Sequence, residues 1–238
     1  MSATQHHPSS AATEQEPLLG RPGDATQTEE KSLFHNLVLG TGALAQGGIW
    51  VLAAIVWAAV FNADLSLFSA HPLLMSAGLL FVVQGILILQ PTHTAKQKEV
   101  GTVLHSTMNG SGVLALIAGL VIIEYNKFKN GADHFTSVHG KLGLVTFIFF
   151  ILQALVGITQ FYTPGIYGSV ENAKAIWKYH RASGYVVLPL SLATVCAATQ
   201  VHFNIETLHI QLWSVVVTSV LIVVGIGARI HLSKLGLK

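Results

Sequence analysis

The chain has 238 residues, 51% of them hydrophobic and only 10% charged, with a mean hydropathy of +0.57. Soluble domains carry about 25% charged residues, so an ordinary soluble domain is excluded and a polytopic membrane protein is indicated. The net charge of +2, without a dense basic run, gives no footing for nucleic acid, and a single cysteine, Cys196, excludes an intramolecular disulfide and every CxxC-type site.

In chain order, residues 1–30 come first. They are polar, rich in Ser, Thr, Glu, Gln and Pro, and lack the apolar core of a cleavable signal peptide. Too little apolar surface is present to drive folding, so residues 1–33 are read as a disordered tail. Within it, Glu14-Gln-Glu-Pro-Leu18-Leu19 resembles an acidic dileucine sorting signal. That pattern favours a vacuolar, lysosomal or endosomal membrane, with the plasma membrane and endoplasmic reticulum as alternatives.

Six charge-free runs follow, and helices are expected near 38–61, 71–90, 103–124, 139–162, 180–201 and 209–230. Each is long enough to cross a hydrocarbon core that takes about 20 helical residues. Turn-formers separate them: Gln90-Pro91-Thr92, Asn130-Gly131-Ala132-Asp133 and Tyr162-Thr163-Pro164-Gly165. Pro72 suits the first turn of the second helix, where its missing N–H costs nothing. The fold class is all-α: a transmembrane domain over 34–232, then a short tail, 233–238.

An even number of spans puts both termini on one side. If that side is the cytosol, it holds ten of the 13 Lys and Arg residues, leaving only Lys127, Lys129 and Lys141 outside. The positive-inside rule therefore favours cytosolic termini.

Four consecutive spans each begin with a histidine: His71, His105, His139 and His180, at steps of 34, 34 and 41 residues. An ionisable residue at the mouth of a span is a functional hypothesis by default. Spans 2 and 4 enter from the non-cytosolic side, which puts His71 and His139 at one depth. Spans 3 and 5 enter from the cytosol, which puts His105 and His180 at the other. In a central four-helix bundle of spans 2–5, parallel helices lie on diagonals and each diagonal presents two imidazoles to the core. Two imidazoles without cysteine or carboxylate make a poor tetrahedral zinc shell and suit the two axial positions of a haem iron. Gly78 and Gly85 share a helical face with His71, and Gly112 and Gly119 with His105, while Gly143 and Gly184 follow their histidines by four residues. Such stripes leave room for a flat macrocycle, or let helices pack closely.

These segments resemble the cytochrome b561 family, and most of all its six-span, domain-containing subgroup. The matching residues are Ser66-Leu-Phe-Ser-Ala-His71-Pro72-Leu-Leu-Met75, His105, His134-Phe-Thr-Ser-Val-His139-Gly140 and Lys178-Tyr179-His180-Arg-Ala-Ser-Gly184. The resemblance implies two non-covalent b haems in the bundle of spans 2–5, one held by His71 with His139 and the other by His105 with His180. It implies a transmembrane reductase taking electrons from cytosolic ascorbate and giving them to monodehydroascorbate or ferric chelates. A lipid bilayer is implied around it, and a homodimer is compatible with it. Ascorbate-using members carry basic residues just before the span-3 histidine, whereas here Val103-Leu104 stands there and Lys96 and Lys98 lie further back. Lys98, Lys178 and Arg181 are the candidate donor-site cations, against ordinary positive-inside topology. His134 is the candidate contact for an acceptor, against a solvated loop histidine. The competing readings are a histidine-lined divalent-metal transporter, which the scarcity of Asp and Glu in the spans disfavours, and a haem-containing assembly or sensor subunit.

Overall fold

The computed structural model describes residue 23 and residues 25–237, so the dileucine-like segment lies outside the described residues. Seven α-helices and no strand occur among them. They are α1 (Gly42–Phe61), α2 (Ala70–Leu89), α3 (Ala95–Lys129), α4 (Val138–Tyr162), the short α5 (Val170–Ala175), α6 (Trp177–Ala198) and α7 (Leu212–Gly227).

Local signals fix the helix starts. Thr94 Oγ1 accepts from the Gln97 N–H at 3.2 Å and the Gln97 side chain accepts in return from the Thr94 N–H, a capping box at the head of α3. Ser137 Oγ accepts from the Gly140 N–H at 3.0 Å and caps α4. Gly131, at φ +60°, takes the left-handed turn between α3 and α4 that a side chain would strain.

Five helical segments are long and apolar enough to cross a membrane, counting α2 with the turn before it and α6 with α5. The sixth apolar helix, α7, has 16 residues and rises about 24 Å, short of the roughly 30 Å hydrocarbon core. Six full-length spans were expected, and α7 is the element that falls short. α3 differs in the other direction. Its 35 residues run about 52 Å, because no Gly-Pro break interrupts the polar turns that flank the apolar run. It is therefore longer than a hydrocarbon core is thick.

The helices associate as three closely packed pairs, α2 with α3, α1 with α7, and α4 with α6. The α2/α3 pair meets the α4/α6 pair chiefly where α3 touches α4, which leaves space between the pairs. Ala45, Ile49, Leu52, Leu79, Val83 and Ile222 are among the residues of the main apolar core, which joins α1, α2, α6 and α7. Val82, Leu116, Phe150 and Val187 form a smaller cluster where α2, α3, α4 and α6 converge.

The segment 25–33, assigned to the tail by sequence, lies against the bundle. Gln27 is buried, and its Oε1 accepts from Asn36 Nδ2 at 2.9 Å. The Ala25 carbonyl accepts from His231 Nε2 at 3.1 Å, so both terminal segments meet at one end of the bundle. That end is called the terminal end here, and the opposite one the far end.

Candidate functional site

At the far end, His71 opens α2 and His139 opens α4. Their ring centroids are 6.2 Å apart and their planes cross at 82°. An iron between two imidazoles needs two bonds of about 2 Å plus two ring radii, which is close to the observed separation. Phe68 stacks on His71, with centroids 5.9 Å apart.

At the terminal end, His105 of α3 and His180 of α6 line one cavity of about 340 Å³. Gly157 and Gly184 border it; a Cβ at Gly157 would stand 3.0 Å from the His180 ring, and one at Gly184 would meet nothing within 4 Å. Among the described residues no group of three or more His, Cys, Asp or Glu gathers. These histidines meet in twos.

The hydrogen bonds of the rings decide which nitrogen is free. His71 Nδ1 lies 2.9 Å from the Gly119 carbonyl, His105 Nδ1 2.9 Å from that of Gly85, and His139 Nδ1 3.0 Å from that of Thr194. A carbonyl oxygen only accepts, so each Nδ1 carries the proton and donates. The Nε2 lone pair is then left for a metal, the arrangement that metal-ligating histidines commonly show. Three of the four rings, both at the far end and His105 at the terminal end, thus leave Nε2 free and fit a haem iron.

The glycine stripes divide by role. On α2 and α3, a Cβ at Gly78 would strike Gly112 and Leu116, one at Gly85 would strike the Asn109 amide, and one at Gly119 would press on Leu74 and Met75. These glycines let α2 and α3 approach, so close helix packing, not room for a macrocycle, accounts for them. Gly157 and Gly184 are the ones that border the cavity.

The mouth of the cavity is cationic. Lys98 and Arg181 line it, as does Lys234 from the C-terminal segment. Arg181 Nη1 donates to the Lys234 carbonyl, and Lys234 Nζ donates to the carbonyls of Gln90 and Thr92 at 2.8 and 2.9 Å. Burial, with the nearby charges of Arg181, Lys98 and Arg229, pulls the Lys234 ammonium down to about 8. Lys178 is not brought into the cavity; its Nζ lies 5.0 Å over its neighbour's ring, that of Tyr179. Lys234 and His231 line the mouth with no motif to announce them, because the chain reaches it only by folding back after α7. His134 lies at the far end, paired through Nδ1 with Glu124 of α3.

Residues 70–204 match the family described as eukaryotic cytochrome b561. Among curated proteins, the chain is 31% identical over 139 residues to the transmembrane ascorbate-dependent reductase CYB561 of Homo sapiens, covering 57% of this chain and 53% of that protein. It is 28% identical over 151 residues to the ascorbate-specific transmembrane electron transporter 2 of Zea mays, covering 58% and 61%. It is also 28% identical over 163 residues to the plasma membrane ascorbate-dependent reductase CYBRD1 of Mus musculus, covering 64% and 55%. The chain thus spans between about half and three-fifths of the length of these relatives. The family match takes in more than half of the chain and contains both histidine pairs, from the helix that opens with His71 to the one that carries His180, and on that ground the chain belongs to the cytochrome b561 family.

Proposed function

We propose that the chain carries electrons across a membrane from ascorbate to monodehydroascorbate or a ferric chelate, through two haem b groups held by His71 with His139 and by His105 with His180. The single observation that carries this reading is the placement of two imidazole pairs at opposite ends of one bundle, three of the four rings fixed with Nδ1 donating to a backbone carbonyl.

Haem b, when bound, would supply reversible one-electron chemistry. The protein's own part is to hold the imidazoles of His71, His105 and His139 in the Nδ1–H form, to exclude water with the Val82–Leu116–Phe150–Val187 cluster between the two ends, and to gather an anion. Lys98, Arg181 and Lys234 place positive charge where an ascorbate monoanion would enter. On the positive-inside count the terminal end faces the cytosol, with α7 as a sixth, short crossing. His134 and Glu124 then stand where an acceptor would be met.

The test uses purified protein, with haem counted per chain, in vesicles that enclose ascorbate and bathe in a ferric chelate. Two low-spin haems per chain and reduction of the external chelate are expected. Protein that binds no haem, even after reconstitution, would overturn the reading.

A further inference from the structure

One histidine at the mouth of the terminal-end cavity belongs to neither pair. His231 follows α7, is half-buried, and lines the cavity with Lys98, Arg181 and Lys234. It lies outside the residues that match the family, 70–204. Its Nε2 is 3.1 Å from the Ala25 carbonyl oxygen. The carbonyl can only accept, so Nε2 carries the proton and Nδ1 keeps its lone pair. Among the described residues that lone pair has no hydrogen-bond partner. His71, His105 and His139 show the opposite tautomer, with Nδ1 donating.

The chemistry of the donor calls for such a lone pair. An ascorbate monoanion keeps one enolic hydroxyl, and the radical anion it becomes on losing one electron holds no proton there. Loss of the electron alone would leave a neutral, strongly acidic radical, so the proton has to leave as well. The described residues that line the cavity include no Asp or Glu. Lys98 and Arg181 are cations, and Lys234 donates to the Gln90 and Thr92 carbonyls. Tyr185 is a phenol, protonated at neutral pH, and its hydroxyl oxygen accepts from Gln90 Nε2 at 3.2 Å. His105 and His180 are assigned to iron. His231 is the neutral base left at this mouth.

We propose that His231 is a catalytic residue of ascorbate oxidation, its Nδ1 taking the enolic proton as the electron passes to the haem at the terminal end. This rests on the reading of ascorbate as the donor. The O–H bond breaks and an N–H bond forms at Nδ1. The monoanion loses one electron, which reduces the ferric haem, and departs as the radical anion. The imidazolium returns its proton to solvent at the mouth. The Ala25 carbonyl holds the ring in the tautomer this step needs, which gives the segment before α1 a part in the site.

The experiment is stopped-flow reduction of purified, haem-loaded protein by ascorbate and, separately, by dithionite, each in H2O and in D2O. Dithionite supplies the sulfur dioxide radical anion, which gives up an electron without a proton and so reports electron entry alone. His231→Gln keeps an N–H for the Ala25 carbonyl and lacks a base. It should slow reduction by ascorbate about a hundredfold, within the range a positioned base supplies, and leave reduction by dithionite at the wild-type rate. In the wild type, D2O should slow the ascorbate reaction and not the dithionite one. His231→Ala should recover when imidazole is added to the buffer, since it lacks the base and not the fold. An unchanged ascorbate rate in His231→Gln overturns the proposal and leaves ascorbate as the donor. Equal slowing with both donors also overturns it, because His231 then serves the structure. If dithionite reduces the wild type and ascorbate does not, the donor reading falls and this inference with it.

Discussion

Gly78 on α2 and Gly112 on α3 hold those helices in backbone contact: a Cβ on Gly78 would stand 2.9 Å from the Gly112 carbonyl oxygen, and one on Gly112 would stand 2.8 Å from that of Gly78. The obstacle on each side is backbone, which cannot swing away as a side chain would. Gly112→Ala should therefore destabilise the bundle by about 1–3 kcal/mol, the usual cost of overpacking. Gly110→Ala, where a Cβ meets nothing within 4 Å, should be close to neutral. Thermal unfolding of the two variants in detergent, followed by haem absorbance, separates them; equal midpoints would show that the seam is looser than described.

The 6.2 Å separation of the His71 and His139 rings leads to a stoichiometric expectation. His71→Ala and His139→Ala should each remove the same haem, and His105→Ala and His180→Ala the other, so every variant retains about half of the wild-type haem. A pyridine haemochrome assay per chain is sufficient. The members of each pair should share one residual spectrum, and the two pairs should differ from one another.

Lys234 makes donor binding depend on pH in a stated direction. Its ammonium titrates at about 8 in the folded protein against the usual 10.5, first because of burial and then because of Arg181, Lys98 and Arg229. The positive charge offered to an anion is complete below that value and is lost as pH rises through it. The KM for ascorbate should accordingly climb between pH 7 and pH 9. Lys234→Met should raise KM at pH 7 by about tenfold, the scale of one charge-assisted hydrogen bond, and should lack the further rise. For stability the sign is opposite. The unfolded chain binds more protons between about 8 and 10.5, so this group makes folding more favourable as pH increases across that window.

His134, paired with Glu124 at the far end, is separated from the donor mouth by the length of the bundle. His134→Ala should slow electron delivery to a ferric chelate severalfold and leave reduction of the protein by ascorbate unchanged. Stopped-flow traces of the two half-reactions distinguish these steps, and equal slowing of both would count against an acceptor contact.

Much of this architecture is legible in the chain because helices and membrane crossings write themselves in simple periods. The starts of α2 and α4 fall within a residue of expectation, at Ala70 and Val138, where Pro72 and the Ser137 cap mark them. The ends of α3 were harder: hydropathy finds only the stretch inside the bilayer, whereas the capping box at Thr94 and Gln97 starts the helix two turns earlier. The glycine stripes read two ways for a physical reason. Seven-residue spacing fixes a shared face on a helix but cannot say whether that face meets a neighbour or a cofactor. Lys234 left no readable signal, since it matters only through residues far along the chain, the Gln90 and Thr92 carbonyls.

The return of the chain after α7 separates two kinds of damage. A polypeptide stopped at Gly227 would keep all four histidines, yet would lack Arg229, whose guanidinium donates to the Asn36 and Leu87 carbonyls, as well as His231 and Lys234. Such a truncated product would still take up pigment and look intact by colour, while its entrance stood unclasped and poorer in charge. A bulky fusion partner joined at the C-terminus would crowd that same entrance, so reporters attached there would disturb the traffic they are meant to report.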